Sequence, residues 1–220
     1  MIHRTSFLFT FGLVLCSCGP DAADRAYLAA LRGDADGSTY EQRIAHLDRA
    51  IALEPGLGRY HESRAILRID QRAFDAALTD LDHAIEIGDR PWLRFLRGLV
   101  LCQRGDCTAA ITEFDRAIAE QPGNTQFYRG RALARVAVGS PDAALADAEL
   151  LVQNAPQVGS SYYARGLALA ALARHHEAVR EFDEALARHG GRKTQANPHC
   201  AWCTDPFRYC ATGLSRARSG

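Results

Sequence analysis

Residues 197–210 read NPHCAWCTDPFRYC and place three cysteines and a histidine in a short stretch. Such a cluster could hold a metal ion, carry out redox chemistry or close a disulfide. A zinc site could draw its ligands from Cys200, Cys203, Cys210 and His199. His199 directly precedes Cys200, which is an awkward geometry for joint ligation, and there is no second C-x-x-C motif. The choice depends on the compartment and on the elements around the cysteines.

The first residues predict export. The chain begins MIHRTSFLFTFGLVLCSCGP, in which Arg4 precedes an apolar run from Phe7 to Leu15. This run is too short to span a bilayer, which takes about 20 helical residues, but it is typical of a signal peptide. The segment Leu15-Cys16-Ser17-Cys18 resembles the lipobox of bacterial lipoproteins. The resemblance implies that residues 1–17 are a signal peptide, that Cys18 carries a lipid and that residues 18–23 form a short linker.

Lipidation would place the thiols in an oxidising space, where disulfides persist. We therefore expect a disulfide among Cys200, Cys203 and Cys210, in which Cys203–Cys210 or Cys200–Cys210 is favoured because Cys200–Cys203 would close a tight ring. Zinc binding, redox work and free thiols are the alternatives. Cys102 and Cys107 flank a short turn and could bridge it, or Cys102 could simply be buried. The lipobox implies the bacterial cell envelope, and Gly19 after the cysteine favours the outer membrane, facing the periplasm.

Composition and motifs argue against other function classes. The 26 basic and 26 acidic residues balance, so no net field recruits nucleic acid. The sequence contains no G-x-S-x-G motif, no phosphate-binding loop and no H-E-x-x-H motif. We predict a protein that is not an enzyme and that needs no cofactor and no resident metal.

The middle of the chain repeats every 33 or 34 residues. Small residues recur in three phases, at Ala65, Gly98, Ala132 and Gly166, at Ala77, Ala110, Ala144 and Ala178, and at Ala50, Ala84, Ala117 and Ala185. The fourth unit departs from the third phase, with Leu151 where the others have alanine. Two antiparallel helices approach closely only where side chains are small. The pattern resembles the tetratricopeptide repeat, a helix-turn-helix unit of 34 residues, and implies an all-α, right-handed solenoid of about five repeats with a C-terminal capping helix.

The resemblance also sets the predicted boundaries. The array covers residues 24–191, in units of about 24–57, 58–90, 91–124, 125–158 and 159–191. In the first unit we expect a first helix over about residues 22–32, a loop GDADGS, and a second helix that begins with the capping-box spacing at Ser38-Thr39-Tyr40-Glu41.

The tail resembles the first helix of a sixth repeat, displaced along the sequence by an insert. Residues 209–217, YCATGLSRA, match residues 162–170, YYARGLALA, at five positions. Asp205-Pro206 is a sound helix start. We predict a cysteine-containing insert over residues 192–204 and a capping helix over residues 205–220.

Charged residues recur with the repeat. Arg64, Arg97, Arg131 and Arg165 each precede a small residue of the first helix, and Asp80, Glu113, Asp147 and Glu181 recur on the second helices. They could form a ladder of ion pairs between helices or a solvated stripe. If the pairs are exposed, each contributes about 0–1 kcal/mol.

In the family that the repeats resemble, ligands lie in the concave groove of the first helices. The positions that this implies here are Glu62, Ile66, Trp92, Phe95, Leu99, Arg129, Leu133, Val136, Tyr163 and Leu167. Such a groove holds a peptide of a partner protein, although the same residues could serve packing between repeats. We predict a lipid-anchored scaffold that binds other envelope proteins. The alternatives are a self-associating structural protein, or a redox or metal protein that uses the C-terminal cysteines.

Overall fold

Ten α-helices and no strand occupy residues 21–190, the part of the chain that the computed structural model describes. Their bounds are α1 Ala22–Asp36, α2 Tyr40–Leu53, α3 Gly58–Asp70, α4 Phe74–Ile87, α5 Pro91–Arg104, α6 Cys107–Glu120, α7 Thr125–Ala137, α8 Pro141–Asn154, α9 Gly159–Ala171 and α10 His175–Gly190. Consecutive helices pair as five hairpins, and each hairpin contacts the next. The all-α prediction is confirmed: the fold is a tetratricopeptide-repeat solenoid.

The signal peptide, Cys18, the insert over residues 192–204 and the capping helix over residues 205–220 lie outside the described residues. These four predictions therefore remain predictions.

Small residues let the two helices of a hairpin approach closely. A Cβ added at Gly98 of α5 would lie 2.6 Å from a ring carbon of Phe114 on α6, and one at Gly166 of α9 would lie 2.6 Å from Phe182 on α10. The recurring alanines of the second helices, such as Ala77 and Ala117, have no exposed surface. The small positions therefore accept large side chains of the neighbouring helix, which explains the repeat pattern.

The first hairpin differs from the prediction at its turn. The helix α1 continues to Asp36, so most of the predicted loop is helical. The helix α2 is capped one residue later than predicted: the Thr39 side chain accepts a hydrogen bond from the Gln42 backbone, and the Gln42 side chain accepts one from the Thr39 backbone. The capping box accepts either glutamine or glutamate at the third helical position, so Gln42 can form this reciprocal pair.

The turn inside each hairpin uses one left-handed residue. Gly105 and Gly139 have φ of +101° and +77°, a region that glycine enters without steric cost. The second and fifth hairpins place Arg72 and Ala173 at the same point, with φ of 61° and 59°. The turn geometry is therefore set by the hairpin, and glycine is used in only some of the copies.

Candidate interaction surface

The first helices lie on the inner side of the array. The helix α5 contacts α7, and α7 contacts α9, whereas no two second helices within residues 21–190 make a comparable contact. Because the first helices lie closer together, the stack curves toward them. The first helices therefore line the concave surface, on which we predicted a groove.

One aliphatic residue on each of four first helices forms an apolar row, which consists of Ile66, Leu99, Leu133 and Leu167. All four are half-buried, so part of each side chain packs in the array and part remains accessible. Ile66 and Leu99 pack against the main core, which fixes their positions. Covering such apolar surface contributes about 25 cal/mol per Å², so the row can bind an apolar segment.

The other predicted groove residues flank this row. Trp92, Val136 and Tyr163 are half-buried. Glu62 forms an ion pair with Arg90 at 2.5 Å. The Arg129 guanidinium donates to the Gln126 side chain at 2.9 Å and to the Ser160 hydroxyl at 3.3 Å. The groove thus combines an apolar floor with polar groups that neighbouring helices hold in place.

Phe95 does not belong to the accessible groove. Its side chain is buried, with 3% exposed, and its ring centroid lies 5.8 Å from that of Phe114 and 5.3 Å from that of Phe127. Gly130 on α7 makes this possible, since a Cβ there would lie 3.0 Å from the Phe95 ring. Phe95 is therefore a packing residue. Trp92, at 5.2 Å from Phe95, is the accessible aromatic residue of this pair.

The recurring charges form a ladder of ion pairs between helices, one of the two arrangements that the sequence left open. Arginine nitrogens lie within 3.1 Å of carboxylate oxygens in all four pairs, which are Arg64–Asp80, Arg97–Glu113, Arg131–Asp147 and Arg165–Glu181. The expectation of exposed pairs needs correction, because the side chains of Asp80, Glu113 and Asp147 are only 0%, 6% and 3% exposed. Buried carboxylates need their partners, and removal of one partner is costly.

Three of these arginines also bind an acid of the preceding hairpin, which the sequence analysis missed. The contacts are Arg64–Asp48 at 2.5 Å, Arg97–Asp82 at 2.7 Å and Arg131–Asp115 at 2.6 Å. Each arginine lies between two acids that are about equally far from it in the sequence. The recurrence of Asp48, Asp82 and Asp115 at the repeat spacing was the available signal. The ladder therefore joins neighbouring hairpins as well as the two helices of each hairpin.

In two hairpins a second arginine binds the buried aspartate, a contact that the sequence pattern did not predict. Arg68 lies 2.7 Å from Asp80 and Arg135 lies 2.8 Å from Asp147, each one helical turn after the ladder arginine. Both also donate to a backbone carbonyl in the first turn of the second helix, at 3.2 Å. The two buried aspartates are thus each held by two guanidinium groups.

His61 is a buried titratable group beside this network. Its Nδ1 lies 3.6 Å from Asp80 without a hydrogen-bond partner, and its ring lies 5.4 Å from that of His83. Burial lowers the pKa of His61, and the neighbouring Asp80 only partly opposes this effect. The neutral imidazole is therefore the form that the folded array favours.

Two of the candidate cysteines lie within the described residues and the others lie outside them. Cys102 and Cys107 form a disulfide that closes the turn between α5 and α6. Cys18, Cys200, Cys203 and Cys210 lie outside residues 21–190. Within that range no group of three or more His, Cys, Asp or Glu side chains is placed to hold a metal ion. None of the described helices is long and apolar enough to cross a bilayer.

A crevice of about 280 Å³ adjoins the groove at its edge. Its lining residues are Leu57, Gly58, Arg59, Ala84, Ile87, Gly88, Asp89 and Arg90. Four of these eight residues lie on two interhelical loops and four lie on α3 and α4, and no sequence motif marks them. Arg90 lines the crevice and also pairs with Glu62, so it links this edge to the concave surface.

Comparison with known proteins identifies the repeat. The sequence model of the tetratricopeptide repeat matches residues 63–125 and 95–159. FlbA of Caulobacter vibrioides is 34% identical over 93 residues, which cover 41% of this chain and 16% of FlbA. Human tetratricopeptide repeat protein 36 is 29% identical over 171 residues, which cover 74% of this chain and 85% of that protein. The chain thus spans only a small part of FlbA but most of the human protein.

Solved structures share the fold. MamA of Desulfovibrio magneticus RS-1, from residue 41 to its end, superimposes with a TM-score of 0.70 at 15% identity, covering 80% of this chain and all of the MamA chain. YrrB, described as a TPR protein with an unusual peptide-binding site, superimposes with a TM-score of 0.61 at 17% identity. The match covers 77% of this chain and 88% of the YrrB chain. At such identities the likeness shows the fold alone. The matched repeats lie within residues 63–159, and the solved structures show that the fold is that of a tetratricopeptide-repeat solenoid.

Proposed function

We propose that this protein is a non-enzymatic scaffold that binds a segment of another protein along its concave surface. The apolar row of Ile66, Leu99, Leu133 and Leu167 carries this proposal, because it repeats on four successive first helices and stays partly accessible. Scaffolding by protein–protein contact is the role that tetratricopeptide repeats support. The peptide-binding site reported for YrrB is consistent with it.

The groove favours a segment with apolar residues and some polar character. An extended or helical peptide could place apolar side chains on the row, while its polar groups meet Arg129 or Glu62 at the flank. Trp92 offers an aromatic surface near the same path, and aromatic residues and arginine are enriched where binding energy concentrates. Since neighbouring side chains already hold Glu62 and Arg129 in place, binding would order few additional side chains.

The location belongs to the same proposal. The lipobox-like segment at Leu15–Cys18 supports cleavage before Cys18, lipid attachment there and anchoring in the bacterial envelope, with the outer membrane favoured by Gly19. More than one acyl chain gives stable membrane attachment. The partners would then be other proteins of the envelope.

Crosslinking in living cells tests the binding surface. Bacteria that express the full chain are crosslinked, and the recovered proteins are compared between wild type and the double variant Leu133→Ala plus Leu167→Ala. Leu53→Ala plus Leu150→Ala is the matched control, because both residues lie on second helices and are 48% and 42% exposed. Circular dichroism confirms that each variant is folded.

We expect at least one partner that wild type and the control recover and the groove variant loses. Equal recovery by all three proteins would show that binding uses another surface. The anchor is tested separately by the mass of the mature N-terminus: a lipid-modified Cys18 is expected, and an unmodified chain that starts at Met1 would contradict that part of the proposal alone.

A further inference from the structure

The third hairpin adds a disulfide to a turn that its neighbours form without one. In the second to fifth hairpins the left-handed residue donates a backbone hydrogen bond to the carbonyl three residues earlier, at 2.9–3.1 Å. The next residue donates to the carbonyl five residues earlier, at 2.8–2.9 Å. Cys102 and Cys107 are five residues apart around this turn, and so short a loop restricts the unfolded chain less than a long one does. The hydrogen bonds therefore close the turn by themselves.

Other residue types occupy the two cysteine positions in the second, fourth and fifth hairpins. They are Ile69 and Phe74, Val136 and Pro141, and Ala170 and His175. None of these pairs can form a disulfide, and their turns have the same backbone hydrogen bonds as the third hairpin. We therefore expect the third hairpin to stay folded when its disulfide opens.

The two cysteines lie in different surroundings. Cys102 is half-buried next to the exposed turn of residues 104–106, whereas Cys107 is 8% exposed and is the first residue of α6. A thiolate that approaches from solvent therefore reaches Cys102 more easily. A thiolate at a helix N-terminus is stabilised by the helix dipole, and a more stable thiolate leaves faster. Access and leaving group thus both favour attack at Cys102 with release of Cys107.

Cys102 also lies at the concave surface. It follows Leu99 of the apolar row by three residues, so the two residues share one side of α5. Val136, a half-buried groove residue of α7, holds the same repeat position as Cys102. A group attached to Cys102 would therefore lie beside the apolar row.

We propose that Cys102–Cys107 is a site of thiol–disulfide exchange, at which an incoming thiolate becomes attached to Cys102. The thiolate sulfur bonds to Sγ of Cys102, the bond between the two cysteines breaks, and its electron pair leaves on Sγ of Cys107, which takes up a proton from water. The attacking thiol is oxidised and Cys107 is reduced, so no further oxidant is required. Return attack by Cys107 restores the disulfide. Exchange with a small thiol does not depend on the proposed function; only delivery of a protein thiol along the groove rests on it.

Peptide mapping with reduced glutathione as the probe tests this site. Trypsin cleaves after Arg104, which places Cys102 in residues 98–104 and Cys107 in residues 105–116. The full chain is incubated with glutathione, quenched at early times with excess N-ethylmaleimide, and mapped by mass spectrometry. We expect glutathione on residues 98–104 at least about fivefold more often than on residues 105–116, with an unchanged circular dichroism signal. Equal labelling of the two peptides, or labelling only after unfolding in urea, would overturn the assignment.

Two single variants identify the source of the thiol in cells. Cys107→Ser leaves no thiol in this turn to expel the incoming group, so a mixed disulfide at Cys102 persists, and Cys102→Ser is the matched control. We expect at least about threefold more adduct at Cys102 in the first variant than at Cys107 in the second. A small added mass identifies a low-molecular-weight thiol, and an attached polypeptide identifies a cysteine of a partner protein. Equal adducts in the two variants, or none in either, would overturn the assignment and leave the crosslinking result for the groove unaffected.

Discussion

The second and fourth hairpins hold their buried acid differently from the third and fifth. Asp80 and Asp147 are short and almost fully enclosed, and each binds two arginines of its own hairpin. Glu113 and Glu181 are longer, and leucines, Leu101 and Leu169, stand where the other hairpins have the second arginine. The side chain of Glu181 is 18% exposed and binds Arg165 alone.

This alternation shows how one repeat geometry accepts two charge arrangements. A carboxylate without access to water needs more hydrogen bonds, which the second arginine supplies. The two longer acids do without this arginine in different ways. Glu113 is 6% exposed and binds Arg94 and Arg116 as well as Arg97, whereas Glu181 keeps some contact with solvent. The hairpins with a nearly enclosed aspartate and the fifth hairpin, with its partly exposed glutamate, should therefore respond differently to the loss of charge.

The largest difference is expected when the acid itself is removed. Asp80→Ala leaves Arg64 and Arg68 without their buried partner and should lower the free energy of unfolding by about 3–5 kcal/mol. Glu181→Ala removes a partly exposed partner and should cost about 1 kcal/mol. Urea unfolding followed by circular dichroism measures both. Asp80→Asn is the control for shape, and it should lose most of the same free energy because the charge is the cause.

Double-mutant cycles sharpen the comparison for the pairs. The cycle of Arg131 and Asp147 should give a coupling free energy of about 2–3 kcal/mol, and that of Arg165 and Glu181 about 1 kcal/mol or less. The difference follows from the burial of Asp147, whose side chain is 3% exposed. Equal coupling energies in the two cycles would mean that burial does not set the strength of the ladder.

Replacing the second arginine of the fourth hairpin with leucine tests whether the aspartate–arginine and glutamate–leucine arrangements can substitute for each other. Arg135→Leu removes hydrogen bonds to Asp147 and to the Ala143 carbonyl and should cost about 1.5–2 kcal/mol. Adding Asp147→Glu copies the arrangement of the third and fifth hairpins and should recover part of this loss. A double variant that is less stable than Arg135→Leu would show that acid length and the second arginine are not linked.

The smallest expected effect separates the second hairpin from the fourth. His61 stands beside Asp80, whereas Tyr128 holds the same repeat position in the fourth hairpin. The folded-state pKa of His61 is lowered by burial, so the unfolded chain takes up the proton first as the pH falls. Stability should therefore decrease below about pH 6.5, by no more than about 1.4 kcal/mol per pH unit.

The variant His61→Tyr checks this pH dependence. Comparing urea unfolding at pH 7.5 and pH 5.5 should show a smaller decrease in stability for the variant than for wild type. If the two proteins lose equal stability between these pH values, other groups cause the pH dependence and His61 does not report on the buried network.

The hairpins could be predicted from the sequence because small residues recur at the helix crossings. The recurring arginines and acids could be found from the same spacing, but it left a ladder and a solvated stripe open, because spacing does not give the burial of a side chain. The contacts to the preceding acids could not be chosen from spacing, since Arg64 lies equally far from Asp48 and Asp80. Phe95 was misplaced because its position predicts the groove, while the space left by Gly130 on another helix turns its ring into the core. Such a choice depends on contacts between hairpins, which repeat periodicity does not encode.

Site-specific photocrosslinking in cells tests the central claim, that the concave surface binds a partner protein. A photoreactive residue replaces Leu133 in the apolar row or Leu150 on the second helix of the same hairpin. The account predicts a crosslinked partner from position 133 and little or none from position 150. Crosslinks from position 150 alone would contradict it and place the binding surface on the second helices.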